Sequence, residues 1–201
     1  MTGRPAMTTP RAVIFDLDGT LTEPVLDFDA MRAEIGLSDG TILEQLEQLD
    51  AAGRARAEAI MIRHERAAIA QARLADGCAD LLGHLRGMEI PMAILTRNVR
   101  EVVDTFARMF AFQFHAIYTR EDGPPKPSPH GALSLCRAMG VAPAHTLAVG
   151  DYKYDVMAGR DAGCRTVLVS PAPLPDHERA DWGSPDMVVK SLRELLPLFS
   201  R

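Results

Sequence analysis

The fold is decided by residues 12–21, which read AVIFDLDGTL. Four apolar residues run directly into the acidic pair Asp16 and Asp18, and Gly19 follows. A short run that is apolar on both faces and ends at a turn is typical of a strand buried inside a parallel sheet. Because alternate side chains of an extended strand share a face, both carboxylates are expected to project together at the strand end. Two carboxylates so close repel each other, and a divalent cation with oxygen ligands relieves that repulsion.

Similar apolar runs recur along the chain, and helical patterns lie between them. The stretches at 99–109, 128–139 and 152–162 repeat apolar residues at helical spacing, and two of them end next to Gly140 and Gly163. Alternating strands and helices predict an α/β fold, a Rossmann-like, doubly wound parallel sheet with right-handed crossovers. Further strands are predicted at 92–95, 116–118, 146–149, 166–169 and 187–189, the last followed by a C-terminal helix.

One interval, from Thr22 to Ile90, has no strand signal. A structureless connection of that length is uncommon in a compact domain, and its apolar residues recur at helical spacing. We therefore predict a small all-helical cap at 23–80, inserted after the first strand into an α/β core formed by 11–22 and 81–201. Residues 1–10 are rich in Thr, Pro and Gly and are predicted to be a flexible leader.

Composition predicts a cytoplasmic protein with no nucleic-acid or membrane partner. The formal net charge is -5 and 47% of the residues are hydrophobic, a balance that is ordinary for soluble proteins. No apolar run approaches the roughly 20 residues of a membrane span, and the aromatic content of 5% offers no evident stacking platform for bases. Cys78, Cys136 and Cys164 lack metal-ligand spacing and are predicted to be buried free thiols, which suits a reducing compartment.

Polar residues also follow the later strands and one rigid loop. Thr96 ends the second strand, and Lys126 lies in residues 123–129, GPPKPSP, where prolines fix the backbone on both sides. Asp151 follows the fourth strand, and Asp155 comes about one helical turn later. Because parallel strands end at the same edge of a sheet, these groups are expected to converge with the first acidic pair. Open α/β sheets bind their ligands in the crevice at that edge.

Each of these residues also has an ordinary structural alternative. Thr96 and Asp151 are suitable helix caps, and Lys126 fits a solvated lysine. The first acidic pair suggests a calcium loop, but an EF-hand has glycine at loop position six and follows a helix. Counted from Asp16, Gly19 occupies position four, and an apolar strand precedes it. The ordered convergence of all the pieces favours a catalytic site.

In this order, the motifs resemble those of the haloacid dehalogenase superfamily of phosphohydrolases, from residue 12 to about residue 170. Residues 16–20, DLDGT, resemble the first motif, and the helical insertion resembles the cap of the phosphoglycolate-phosphatase-like branch. This cap is short, and Arg97 follows the second-motif threonine where Asn is common. The later motifs are matched by Thr96, by Lys126, and by Asp151 with Asp155.

The resemblance implies a phosphatase that hydrolyses a small phosphate monoester through a phospho-aspartyl intermediate. It makes Asp16 the nucleophile and Asp18 first the general acid and then the general base. Lys126 would neutralise charge on Asp16 and on the transferring group, and Thr96 would donate a hydrogen bond to a phosphoryl oxygen. Further backbone N–H donors to the phosphate would be Gly19 and Arg97.

The same resemblance implies Mg²⁺ as the cofactor. Its ligands would be the Asp16 and Asp151 carboxylates and the backbone carbonyl of Asp18. Asp155 is expected to act through water or by fixing Lys126. The expected partner is a small phosphorylated metabolite, and the expected assembly is a monomer or a homodimer.

Three alternatives stay open, namely a dehalogenase, a phosphomutase and a catalytically silent binding module. A dehalogenase needs neither a metal nor an acid at Asp18, no phosphomutase-type acid–base signature is evident in the cap, and a silent module has no need of the full polar set. Basic residues of the cap favour an anionic ester if they line the substrate entrance, although such residues more often form a solvated helix face. These residues are Arg54, Arg56, Arg63, His64 and Arg66.

Overall fold

In a computed structural model, which describes residues 9–172, 182 and 184–200, the apolar runs form one six-stranded parallel sheet. The spatial order of its strands, numbered along the chain, is 3-2-1-4-5-6, so the first strand lies near the centre. The α/β class with a doubly wound parallel sheet is confirmed. The strands are β1 (Ala12–Phe15), β2 (Met92–Leu95), β3 (Ala116–Tyr118), β4 (Thr146–Gly150), β5 (Arg165–Val169) and β6 (Met187–Val189).

The centre of the sheet is β1, whose four apolar side chains are all buried. Phe15 pairs in register with Ile94 of β2 on one side and with Val149 of β4 on the other. From β1 the chain builds outward to β3, and from β4 it builds outward to β6. The direction of winding therefore reverses between β1 and β4, and this is the point where such sheets open a ligand crevice.

Three helices, here called the helical insertion, lie within the segment predicted as a cap. They are α1 (Phe28–Ile35), α2 (Ile42–Leu46) and α3 (Ala51–Ala70). Asp27 and Asp50 cap α1 and α3 by accepting hydrogen bonds from backbone N–H groups at 2.9 Å and 2.7 Å. The division into domains at residues 23 and 80 stays a prediction. The insertion has a small core of its own, made of Met31, Ile42, Leu46, Ala57 and Met61.

The remaining helices cover both faces of the sheet. α4 (Cys78–Gly87) and α5 (Arg100–Met109) pack on one face, whereas α6 (His130–Met139) and α7 (Lys153–Asp161) pack on the other. The last three were predicted from their periodicity, and each begins one or two residues later than predicted.

The helix predicted after the last strand is present. Residues Leu192–Phe199 form a 3₁₀ helix, and Pro197 lies inside it. Proline removes a backbone donor that a continuous α-helix requires, which explains the tighter and less regular turn. Leu192, Leu195 and Phe199 are nevertheless fully buried, so the segment closes the face of the sheet covered by α4.

The thiols and the chain ends can be compared with their predictions. Cys78, Cys136 and Cys164 are buried and free, as predicted. Of the helices in the described residues, none combines the length and apolarity needed to cross a bilayer. Residues 1–8 of the predicted leader lie outside the described part of the chain.

Candidate active site

The ends of β1, β2 and β4 meet at one edge of the sheet, and a cavity of about 1060 Å³ opens there. Asp16, Thr96 and Asp151 are the residues that directly follow these strands. The Asp16 N–H donates to the carbonyl oxygen of Val149 at 2.9 Å, which extends the pairing one residue beyond β1. The structure therefore brings every predicted site residue to one cavity. Its other predicted members are Asp18, Gly19, Arg97, Lys126 and Asp155.

Three carboxylates form an acidic cluster in this cavity. One oxygen each of Asp16, Asp151 and Asp155 lies within 4.8 Å of the others. Burial raises the pKa of Asp16 well above its usual value, an effect that Lys126 opposes and the two other carboxylates reinforce. Burial, and then the charge of Asp155, raises the pKa of Asp151 to about 7. The surroundings of the cluster therefore disfavour the ionised forms of Asp16 and Asp151.

Lys126 is the cation of the cluster, and its side chain is only 4% exposed. Its Nζ lies 2.6 Å from Asp16 Oδ1 and 2.5 Å from Asp155 Oδ1. Although burial disfavours the ammonium form, the charges of Asp155 and Asp16 raise the pKa of Lys126 above its usual value. The lysine is therefore charged at neutral pH and is directed at the residue predicted to be the nucleophile.

Asp155 is engaged by the protein through both of its oxygens. Oδ1 accepts from Lys126, and Oδ2 accepts from the backbone N–H of Tyr152 at 3.0 Å, at the start of α7. A carboxylate held in this way orients the lysine and the helix start. This geometry fits the predicted indirect role of Asp155, whereas Asp16 and Asp151 keep oxygens that face the cavity.

The turn after β1 requires glycine because the backbone there has a positive φ and because a neighbouring side chain leaves no room for a Cβ. Gly19 has φ of 77°, and a Cβ built there would lie 2.3 Å from Asp151 Oδ2. The next residue, Thr20, donates its hydroxyl hydrogen to Asp151 Oδ1 at 3.2 Å. Thr20 was not predicted as a site residue, and only its place in the first motif could have indicated it.

Asp18 is held by a residue that the sequence did not single out. The Asn98 side-chain amide donates to Asp18 Oδ2, and the same amide donates to the hydroxyl oxygen of Thr96 at 3.1 Å. Because the Thr96 oxygen also accepts from the backbone N–H of Asn98 at 3.1 Å, its own hydrogen is free to donate into the cavity. Burial raises the pKa of Asp18, and the Asn98 hydrogen bond opposes that rise.

The Arg97 side chain is held against the helical insertion. Its Nη2 donates to both carboxylate oxygens of Glu44 in α2, at 2.9 Å each. The guanidinium also lies over the ring of Tyr154, 5.1 Å from its centroid. The guanidinium thus joins α2 to the sheet, and the predicted contact of Arg97 with phosphate concerns its backbone N–H.

A second ion pair between the insertion and the sheet is buried. Glu65 of α3 is 4% exposed, Arg120 after β3 is 11% exposed, and their side chains meet at 2.5 Å. Arg120 also donates to the carbonyl oxygen of Arg97 at 2.7 Å, directly beside Thr96. Burial raises the pKa of Glu65, and the Arg120 charge opposes the rise. The pair therefore links α3 to the loop that carries Thr96.

The five basic residues considered for the substrate entrance do not line the cavity. Arg63 and His64 contact Glu34 at the surface of the insertion, and Arg66 forms an exposed pair with Glu101 of α5. Arg54 and Arg56 likewise lie outside the lining. The solvated helix face is thus the better interpretation of these residues, and the basis for preferring an anionic ester is removed.

The donor set suits a small divalent cation. Carboxylate oxygens are the ligands that Mg²⁺ prefers in proteins, and the convergent oxygens of Asp16 and Asp151 face the same space. Their raised pKa values show that burial and mutual repulsion destabilise the ionised forms. A cation bound between them would remove that cost.

Many doubly wound sheets have a ligand crevice, so the crevice alone says little about function. An acidic cluster around one buried lysine at the strand ends is a more specific feature. Fold and site together define a Rossmann-like hydrolase whose reactive groups lie at the carboxyl edge of the sheet. The family model described as haloacid dehalogenase-like hydrolase matches residues 23–169, and the chain belongs to this family.

Relatives with assigned names support the same placement. The chain is 33% identical to a haloacid dehalogenase-like hydrolase domain-containing protein of Arabidopsis thaliana, over 94% of this chain and 84% of that one. It is 28% identical to the N-acetylmuramic acid 6-phosphate phosphatase of Pseudomonas aeruginosa, over 95% of each chain. It is 29% identical to the phosphoglycolate phosphatase of Chromobacterium violaceum, over 94% of this chain and 96% of that one.

Solved structures agree on the fold. A hydrolase from Pseudomonas syringae superposes with a TM-score of 0.79 at 19% identity, and covers 93% of this chain and 96% of its own. At that identity the likeness concerns the fold alone.

Proposed function

We propose that this chain is a Mg²⁺-dependent phosphatase that hydrolyses a small phosphate monoester through a phospho-aspartyl intermediate on Asp16. The observation that carries the proposal is the contact of Lys126 Nζ with Asp16 Oδ1 at 2.6 Å, within an acidic cluster that opens on a cavity. Relatives whose names specify a phosphatase support the substrate class.

In the first half of the reaction, a carboxylate oxygen of Asp16 attacks phosphorus in line with the ester oxygen. The bond from Asp16 to phosphorus forms, the bond to the ester oxygen breaks, and Asp18 gives its proton to the departing alkoxide. The buried position of Asp18, which raises its pKa, favours the protonated form that this step requires. Asn98 fixes the orientation of the acid by donating to its other oxygen.

In the second half, water attacks the phosphorus of the aspartyl phosphate. Asp18, now ionised, accepts the proton of that water, and inorganic phosphate leaves with Asp16 regenerated. The Thr96 hydroxyl and the N–H groups of Gly19 and Arg97 donate to the phosphoryl oxygens, and the Lys126 ammonium offsets their charge. Asp16, Asp151 and the Asp18 carbonyl would hold Mg²⁺, which neutralises charge on the phosphoryl group when bound.

Phosphate release from a panel of phosphate monoesters, with Mg²⁺ and with a chelator, tests this proposal. Asp16→Asn is expected to remain folded and to lose at least about a thousandfold in kcat, since the nucleophile is removed. Asp161→Asn, an exposed aspartate of α7 outside the cavity, is the matched control and should retain wild-type turnover. Wild-type rates in Asp16→Asn would overturn the assignment.

The other possible activities give different products. Halide release from a haloacid that survives complete chelation would favour a dehalogenase, and an isomerised phosphate ester without phosphate release would favour a phosphomutase. A folded chain that neither turns over any ester nor binds Mg²⁺ in titration calorimetry would favour a silent binding module.

We also propose a cellular compartment, a class of ligand and an oligomeric state for this protein. Three buried free thiols suit the reducing cytoplasm, and the cavity at the strand ends has room for a small phosphorylated metabolite. The assembly is proposed to be a monomer or a homodimer, which light scattering would distinguish.

A further inference from the structure

Two exposed hydrophobic side chains lie at the cavity, on different parts of the fold. Among the described residues, the exposed large hydrophobic side chains are Phe28, Met109 and Tyr152. Phe28 is 51% exposed and Tyr152 is 40% exposed, and both line this cavity. Single exposed hydrophobic residues need no explanation, but their concentration at a binding cavity indicates a surface that a ligand covers.

The two rings come from the two sides of the cavity. Phe28 begins α1 in the helical insertion, and Tyr152 lies between β4 and α7 on the sheet side. Tyr154 lies edge-on to Tyr152 with ring centroids 5.2 Å apart, and Trp182 packs against Tyr152 at 5.4 Å. Tyr152 is thereby supported by aromatic neighbours. The low aromatic content predicted no stacking platform, yet two aromatic residues gather around Tyr152, and Phe28 lines the same cavity from the insertion.

Apart from Lys126, the cationic side chains of the cavity lining contact neighbouring protein groups. Arg97 is neutralised by Glu44, and Arg32, the other arginine in the lining, is paired with Asp29. Lys153 has no carboxylate partner among the described residues, and its ammonium lies 5.7 Å from the centroids of both Tyr152 and Tyr154. That cation is already positioned over aromatic faces.

The volume of the cavity also favours a substrate larger than a short-chain ester. A cavity of about 1060 Å³ is much larger than a two-carbon phosphate ester requires, because volumes of roughly 300–1,000 Å³ enclose drug-sized ligands. A phosphate group at the strand ends would fill only part of that space. The remaining lining includes the two rings and aliphatic side chains, among them Leu26 and Leu43.

We propose that the alcohol part of the substrate carries a planar aromatic ring, which binds against Tyr152 and Phe28 at the mouth of the cavity. This inference rests on the proposed phosphatase function and names the substrate class. Every base or aryl ring has a face that stacks on an aromatic side chain, whereas a short acid such as glycolate has none.

Three alkyl phosphates with leaving groups of similar basicity test the inference, namely 2-phenylethyl, 2-cyclohexylethyl and ethyl phosphate. We expect kcat/KM for the phenyl ester to exceed that for the ethyl ester by about tenfold or more, chiefly through KM, with the cyclohexyl ester between them. Equal values for the phenyl and cyclohexyl esters would contradict a preference for a planar ring. Equal values for all three would contradict any subsite at the mouth.

Variants assign the preference to residues. Tyr152→Leu and Phe28→Leu remove a ring and keep apolar bulk, so each is expected to lower the phenyl-to-ethyl ratio by about five- to tenfold. Met109→Leu, the third exposed hydrophobic side chain but outside the cavity, is the matched control and should leave the ratio unchanged. A ratio that is insensitive to both cavity variants would refute the assignment.

Acetyl phosphate, which has no ring, separates the two levels of the proposal. If acetyl phosphate is hydrolysed in an Asp16-dependent manner while the phenyl ester has no advantage, the phosphatase function stands and the ring inference is wrong. If neither acetyl phosphate nor any of the three esters is hydrolysed, both are wrong.

Discussion

Replacing Arg120 by methionine removes the counter-charge of a carboxylate that is buried between the helical insertion and the sheet. Glu65 is 4% exposed, so water cannot solvate it in place of the guanidinium 2.5 Å away. Leaving one member of a buried ion pair without its partner costs about 3–5 kcal/mol. Against a typical unfolding free energy of about 5–15 kcal/mol, this is a large fraction.

Urea unfolding followed by circular dichroism measures the loss. Arg66→Met is the control, because it breaks the neighbouring α3 pair with Glu101, in which both side chains are more than half exposed. Exposed pairs contribute about 0.2–1 kcal/mol, so the control should lose no more than that. The double variant Glu65→Met with Arg120→Met should recover most of the loss, because it buries no charge.

The pH dependence provides an independent check. The pKa of Glu65 is already raised by burial, and without Arg120 it should rise further. The folded variant then holds a proton to higher pH than the unfolded chain does, so its stability should fall as pH increases above about 4.3. If Arg120→Met and Arg66→Met lose equal free energy of unfolding, and neither shows this pH dependence, the buried pair contributes no more to stability than the exposed one.

Three further changes concern the site itself. Gly19→Ala places a methyl group against Asp151 and should abolish Mg²⁺-dependent turnover, whereas Gly36→Ala, at similar φ but in open space, should cost only about 1–2 kcal/mol of stability; activity and urea midpoints separate the two. Asn98→Ala removes a donor to Asp18 and should lower kcat about tenfold or more with little change in KM, as steady-state kinetics would show. Mg²⁺ at about one hundred times its Kd should stabilise the wild type by about 2.7 kcal/mol, and Asp151→Asn should lose this gain in thermal melts.

Much of the fold could be predicted because its central strands are buried on both faces. The apolar run that precedes Asp16 has no polar residue to make it ambiguous, and it forms the centre of the sheet. Three helices begin one or two residues later than predicted, because the start of the first turn depends on the local path of the preceding loop. The helix after the last strand was predicted without its type, and Pro197 explains why it is a 3₁₀ helix rather than a regular α-helix.

Some residues of the candidate site could likewise be predicted from the sequence, and others could not. Residues that follow strands, such as Asp16 and Asp151, could be placed together from parallel topology alone, and the structure does bring them together. Asn98 and Glu44 could not be found, since their roles arise from contacts with partners 80 and 53 residues away along the chain. The aromatic group at the mouth was missed because composition counts residues and carries no information about where they gather.

The central location of β1 has a consequence for how the chain is made. Both edges of this strand are covered by segments that appear much later, β2 from residue 92 and β4 from residue 146. On the ribosome, its apolar side chains and unpaired backbone groups are therefore exposed early, which is the condition under which nascent chains self-associate. Truncated products that end before β4 should accordingly require chaperones to stay dispersed, and only the finished chain should escape that dependence.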